Sequence, residues 1–237
     1  MLTNKDFINI TYSFETLDRF IHRSFIFNAV KSNRSFFHGK FLDIGCGSMP
    51  YRDFIKLNSR VEVYNGVDLY NSLNYGGGMQ PDFLWDGKVL PVEDSSYDVC
   101  FSTEVLEHCF NPEALMLEAF RVLRSNGIFF FTVPFIWNLH EVPNDHYRYT
   151  PFAIERHLTE SGFTICKLKP FGGWHISLAQ MIGLWIKRAP MRLRSRKILF
   201  FLLTPFIKFL LRKGLEEKVS FSEGQMITGF YGIARKN

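Results

Sequence analysis

The stretch Phe41-Leu42-Asp43-Ile44-Gly45-Cys46-Gly47-Ser48 constrains this chain more than any other. A short apolar run stops at two glycines one residue apart, as a buried strand does when it feeds a tight turn. Glycine reaches positive φ without a Cβ clash and lets another molecule approach the backbone closely. Such a turn suits a nucleotide-like ligand, although a plain glycine turn after a core strand is spelled the same way. The next strand, residues 61–67, is rich in β-branched residues and ends at Asp68. A carboxylate just past the second strand of a β-α-β unit lies where a ribose would sit. A capping aspartate is the plain alternative.

The rest of the chain continues this alternation. A helix is expected over 13–35, with Phe14, Leu17, Phe20, Ile21, Phe25 and Ala29 near helical spacing. A short helix over 51–57 follows the glycine turn. Residues 71–80, with Gly76-Gly77-Gly78, read as a loop. Strands are expected over 82–85, ending at Asp86-Gly87, and over 97–102. Asn111 and Pro112 open a helix that Asn126-Gly127 closes, and Thr150-Pro151 open another that Ser161-Gly162 closes. Strands over 128–133, 163–168 and 226–235 complete the pattern. Alternating strands and helices make an α/β fold with a doubly wound, mostly parallel sheet. The whole of 1–237 reads as one domain, with a helical cap over 1–36 and an insertion over 174–225 between the last two strands.

An apolar fraction of 46% and a charged fraction of 22% are those of a globular protein. Cys46, Cys100, Cys109 and Cys166 include no Cys-x-x-Cys pair. They read as reduced, buried thiols, and no metal site is expected. The N-terminus shows no apolar segment of a signal peptide, and no clean run of about 20 apolar residues suggests a spanning helix. A cytoplasmic protein is expected.

With these pieces in order, the chain resembles the class I S-adenosylmethionine-dependent methyltransferases, in particular the type 11 methyltransferase domain family. The resemblance covers about 37–168 plus the last strand. It rests on Leu42-Asp43-Ile44-Gly45-Cys46-Gly47, Val67-Asp68-Leu69, Asp86 with Leu90-Pro91, Tyr97-Asp98-Val99, Glu104-Val105-Leu106-Glu107-His108, and Arg121-Val122-Leu123 before Asn126-Gly127. The family's usual third glycine is absent, with Met49 and Pro50 after Ser48. A nicotinamide fingerprint would need glycine where Pro50 stands. The resemblance implies a Rossmann-like, seven-stranded sheet with its last strand antiparallel, and S-adenosyl-L-methionine as cofactor. It implies that Gly45, Cys46 and Gly47 approach the cofactor's methionine and ribose, with Asp43 ordering the turn from beneath. Asp68, beside Leu69, takes the ribose hydroxyls. Asp86, beside Gly87, accepts from the adenine amino group. Ser102, Thr103 and Glu104 line the amino-acid end, and His108 contacts the cofactor.

Methyl transfer to a hydroxyl is helped by a general base within hydrogen-bond reach. Residues 138–150 follow the fifth strand and gather two histidines, two carboxylates, an arginine and two tyrosines. His140 or His146 is the expected base, Asp145 its orienting partner, and Arg148 a binder of an acidic or phosphorylated acceptor. An internal ion-pair network around Arg148 is the plainer reading. Residues 181–213 alternate large aliphatic blocks with basic residues and hold no acidic residue. They read as two interfacial helices on an anionic membrane surface, the second starting at Thr204-Pro205. A lid or a subunit interface is the alternative, and nucleic acid is disfavoured because the basic residues are interleaved with aliphatic blocks. The expected activity is O-methylation of a glycan or lipid-linked glycan in surface polysaccharide assembly, on the inner face of the membrane. The alternatives are a quinone or another lipophilic small-molecule acceptor, and a non-catalytic cofactor-binding interaction protein.

Overall fold

The computed structural model describes residues 6–70 and 79–237. The expected glycine-rich loop lies largely outside these residues. In chain order the elements are α1 (Phe20–Asn33), β1 (His38–Ile44), α2 (Arg52–Asn58), β2 (Arg60–Leu69), β3 (Phe83–Trp85), β4 (Tyr97–Thr103), α3 (Pro112–Val122), β5 (Leu123–Pro134), α4 (Pro151–Glu160), β6 (Phe163–Phe171), α5 (Trp174–Arg188), α6 (Leu193–Gly214) and β7 (Gly229–Lys236). The strands form one seven-stranded sheet in the order β3-β2-β1-β4-β5-β7-β6. β7 runs antiparallel to both its neighbours, and the other pairs are parallel.

The heavy use of phenylalanine is explained by the centre of the sheet. Phe129, Phe130 and Phe131 are successive residues of β5, all buried. Alternation sends Phe129 and Phe131 to the face covered by Leu115, Met116, Ile154 and Leu158 of α3 and α4. Phe130 goes to the other face, with Phe41, Phe101, Ile26, Val30 and Ile55. Strands buried on both faces read as continuous apolar runs, as β5 does. The order reverses at β1 and β4, which diverge from the middle of the sheet. A ligand crevice is expected outside the carboxyl ends of such strands.

Both expected Asn/Thr-Pro helix starts are present. Asn111 accepts from the Ala114 amide at 3.1 Å, and Thr150 from that of Ala153 at 3.2 Å. Other expected boundaries differ. α1 begins at Phe20, because Ser13 and Thr16 bond to each other and the Thr16 hydroxyl donates to the Thr11 carbonyl, making a turn. α3 ends at Val122, before Asn126, because the Lys236 ammonium of β7 takes the carbonyls of Phe120 and Leu123 at 2.7 Å each. Pro205 lies inside α6 and starts no new helix. The Thr204 hydroxyl donates to the Phe200 carbonyl at 2.6 Å within that turn.

The insertion docks on the N-terminal segment. Leu17, Ile21, Ile176, Ala179, Ile186, Ile207 and Leu210 form a third apolar cluster. Gly183 lies so close that an added Cβ would stand 2.9 Å from the Leu17 carbonyl oxygen. The Gln180 amide donates to the Asp18 carbonyl at 2.9 Å, and Arg188 pairs with the Asp18 carboxylate at 2.6 Å.

Candidate active site

A cavity of about 320 Å³ opens at the carboxyl ends of β1 and β4. One wall is the glycine turn, Gly45 to Ser48, with Pro50 and Tyr51. Gly45 and Gly47 have φ of 68° and 50°. A Cβ on Gly45 would stand 2.4 Å from the Val105 side chain, so the residue has neither the conformation nor the room for a side chain. The Gly47 amide donates to Asp68 Oδ2 at 2.7 Å, and the Leu69 amide to Asp68 Oδ1 at 2.8 Å. Burial raises the Asp68 pKa even though these two amide bonds oppose the shift.

Asp43 does not perform the expected task. Its carboxylate accepts from the Tyr64 hydroxyl at 2.6 Å, in the core, and Asp68 holds the turn instead. Burial pushes Asp43 up to about 7, with the Tyr64 bond opposing and Asp68 adding to the rise. Cys46 lines the cavity but is buried, and burial first and then Asp43 and Asp68 push its thiol up. Ser102 is fully buried and outside the cavity, whereas Thr103 and Glu104 line it. Leu69, Asp86 and Gly87 sit at the exposed ends of β2 and β3, beyond this cavity. Asp86 accepts from the Lys88 amide at 2.9 Å.

The facing wall is made of side chains. Phe7, Arg19, His22 and Arg23 come from the N-terminal segment, Trp137, Asn138, His140 and Glu141 from the loop after β5, and Arg188 from α5. His22 Nε2 meets Glu104 Oε2 at 2.5 Å, and the Thr132 hydroxyl donates to Glu104 Oε1 at 2.7 Å. Burial alone would raise the Glu104 pKa, but His22, with Thr132 and Arg23 added, holds the carboxyl below its ordinary value. Glu104 and Glu141 have φ of 57° and 51°, uncommon for residues with a side chain. Backbone strain of this kind concentrates at functional sites.

The loop over 138–150 divides the expected catalytic residues. His140 lines the cavity, and its Nδ1 lies 3.2 Å from Asp145 Oδ2. Its pKa is lowered, by burial first and by His108 next, against the pull of Asp145. Asp145 is 2% exposed in its side chain. Burial would raise its pKa, but Arg148 and His140 together bring it to about 2. Arg148 is therefore not open to an acceptor. Its two terminal nitrogens donate to Asp145 at 2.6 and 2.8 Å and to the carbonyls of Tyr147 and Asn138. His146 is exposed, packs on the rings of Phe110 and Tyr147, and stays outside the cavity. His108 lines the cavity edge-on to His140, with ring centroids 4.6 Å apart.

Sequence reasoning missed His22, Arg23, Trp137 and Arg188. The available signal was His22-Arg23 inside an otherwise apolar helical stretch. Arg23 lies over the Phe7 ring, 4.3 Å from its centroid.

A family model of a methyltransferase domain matches residues 42–131. Malonyl-[acyl-carrier protein] O-methyltransferase of Hamiltonella defensa subsp. Acyrthosiphon pisum is 27% identical over 103 residues. The match covers 43% of this chain and 40% of that relative, so the chain spans about two fifths of its length. Among solved structures, an S-adenosylmethionine-dependent methyltransferase from Mesorhizobium loti superposes with a TM-score of 0.56 at 13% identity, covering 88% of this chain and 96% of the other. A phosphoethanolamine N-methyltransferase of Haemonchus contortus, in complex with S-adenosyl-L-methionine, gives 0.54 at 16%, covering 100% and 60%. The [4+2]-cyclase SpnF gives 0.54 at 16%, covering 92% and 82%. At these identities the likeness shows the fold, and a cyclase on the same fold shows that the fold alone does not choose the reaction.

Proposed function

Taking residues 42–131 as a methyltransferase domain of the class I, S-adenosylmethionine-dependent kind, we propose that this chain methylates an oxygen of a glycan or lipid-linked glycan at a membrane surface. The cleft fits the cofactor. Gly45 and Gly47 line it with backbone at positive φ, and the buried Asp68 carboxylate holds the Gly47 amide. These residues would hold the ribose and methionine part, and Arg23 would meet the carboxylate. The bound cofactor supplies an activated sulfonium methyl, so positioning the acceptor provides much of the rate. Trp137 and His22 pack against each other on the facing wall, with ring centroids 5.0 Å apart. His140, held by Asp145, eases loss of the acceptor's proton.

The membrane reading is carried by α6. Ile198, Phe201, Leu202, Pro205 and Phe209 share one exposed face at helical spacing. Phe201 is 79% exposed. Arg194 and Arg212 flank this stripe near the two ends, and no acidic residue occurs between Trp174 and Gly214. No helix among the described residues is long and apolar enough to cross a membrane. A helix with this face lies in the plane of the interface, its cations on anionic headgroups. Arg188 links the insertion to the cavity, so an acceptor with an apolar carrier in the membrane would find the cleft beside its anchor.

The test has two arms. Flotation should bring the chain up with vesicles of anionic lipid at low salt and leave it behind with neutral ones. Labelled methyl should pass from S-adenosylmethionine to a polyprenyl-linked sugar. A protein that stays with the soluble fraction beside anionic vesicles would overturn the membrane reading. A second acceptor class, a carboxylate on an acyl carrier protein, is favoured by Arg19, Arg23 and Arg188 around the cavity and by the relative that acts on malonyl-[acyl-carrier protein]. The same labelling with a malonyl carrier separates the two.

A further inference from the structure

We propose that Glu107, His108 and His140 bind a divalent first-row transition-metal ion at the edge of the cavity. One ligand atom from each residue lies within 4.8 Å of the other two. Metal bonds of about 2.0–2.2 Å place neighbouring ligands roughly 3–3.5 Å apart, so a modest turn of the two rings closes the set. His108 Nε2 is already 3.8 Å from Glu107 Oε1.

The surroundings prepare both histidines as ligands. His108 Nδ1 meets the Asn144 carbonyl at 2.9 Å, so that nitrogen carries the proton and donates it. His140 Nδ1 is held by Asp145. Each ring therefore leaves Nε2 for a ligand, that of His108 lying 3.8 Å from both Glu107 Oε1 and Glu141 Oε2. A carboxylate or carbonyl behind a ligating histidine is the usual outer support of a metal site.

Glu107 is the independent observation. Its side chain is 0% exposed, and neither carboxylate oxygen has a hydrogen-bond partner among the described residues. A buried polar group left without a partner is costly. Arg148, the nearby cation, is committed to Asp145. Glu107 is also fixed in place, since its carbonyl accepts the amides of His146 and Tyr147 at 2.9 and 3.1 Å. A cation between Glu107 and the two imidazoles supplies the missing partner. Two imidazoles and one carboxylate suit zinc, iron, manganese or cobalt better than an all-oxygen ion such as magnesium. A second three-residue cluster among the described residues, Glu113, His157 and Glu160, lies nearer the surface and differs. There Glu113, which lies 3.0 Å from His157 Nδ1, is 57% exposed in its side chain.

Because His108 and His140 line the cavity, open coordination positions would face it. An acceptor hydroxyl on the ion is acidified. Its proton passes to solvent, its oxygen forms a bond to the methyl carbon, and the carbon–sulfur bond breaks with its electron pair going to sulfur. His140 then acts as a ligand, which specifies how it eases the proton's loss. This catalytic role rests on the methyltransferase reading; the binding of the ion does not.

Cobalt(II) is the probe, added to the chelator-stripped 237-residue chain and followed by its visible absorption. One ion per chain is expected. His108→Ala and His140→Asn should each abolish the stoichiometric band, as should Glu107→Gln, which keeps the buried shape. Asp145→Asn should weaken cobalt binding about 10–100-fold, and Glu113→Gln should leave it unchanged. No band in the wild type, or a band that survives both histidine substitutions, overturns the proposal. Calorimetry with S-adenosylhomocysteine on the same samples reports an intact cleft. Cofactor binding without cobalt binding sinks the metal site alone. Cobalt binding without cofactor binding sinks the methyltransferase reading alone.

Discussion

The two walls of the cleft are held by different chemistry. The strand-end wall is backbone at positive φ, tied down by one buried carboxylate, Asp68. The facing wall is held by side-chain pairs, His22–Glu104, Asp145 with Arg148 and His140, and Asp18–Arg188, drawn from the N-terminal segment and α1, the residue after β4, the loop after β5, and α5. A backbone wall leaves little freedom, because a single Cβ at Gly45 meets Val105. A side-chain wall can be exchanged pair by pair without disturbing a strand. One wall therefore suits a constant cofactor, and the other suits an acceptor that differs from protein to protein.

Substitutions on opposite walls should separate affinity from turnover. Asp145→Asn weakens the hold on His140 and should lower the rate of methyl transfer about 10–100-fold. Affinity for S-adenosylhomocysteine should stay within about twofold, as expected of an independent site. A comparable loss of affinity would break the division between the walls. Gly45→Ala should do the reverse. Strain of about 1–3 kcal/mol, added to the collision with Val105, should weaken S-adenosylhomocysteine roughly tenfold or more in calorimetry. Unchanged affinity would remove the glycine turn from the site.

The membrane face offers a smaller, separate effect. Phe201→Ser with Phe209→Ser should reduce flotation with anionic vesicles several-fold and leave cofactor affinity alone. Equal flotation would move the contact elsewhere. The smallest effect concerns Asp43 and stability. Its native pKa of about 7 lies above the ordinary carboxyl value. Below about pH 4 both the folded and unfolded chains hold the proton, and stability is undiminished. As pH rises toward 7 the unfolded chain releases a proton that the native state keeps, so stability falls. Asp43→Asn should flatten the fall in Tm across that window, since an amide oxygen still accepts from Tyr64. An unaltered Tm–pH curve would show that Asp43 ionises freely in the fold.

Much of the architecture was legible because it is locally encoded. The apolar strands, the Asn111-Pro112 and Thr150-Pro151 starts and the glycine turn each carry their own signal. What stayed hidden depends on distant partners. The end of α3 is set by Lys236, more than a hundred residues away. Asp43 looked like the support of the turn until Tyr64 claimed it, and the Gly47 amide goes to Asp68 from the neighbouring strand. His140 and His146 look alike in sequence, but the backbone bonds of the loop to Glu107 leave one in the cavity and the other on the surface. Pairing across elements decides such cases, and a linear spacing does not report it.

The central claim is that this cleft holds S-adenosylmethionine. Calorimetric titration of the wild-type chain with S-adenosylhomocysteine tests it most directly. One molecule bound per chain, with micromolar affinity, is the predicted result. Folded protein that takes up none at high micromolar ligand would contradict the account.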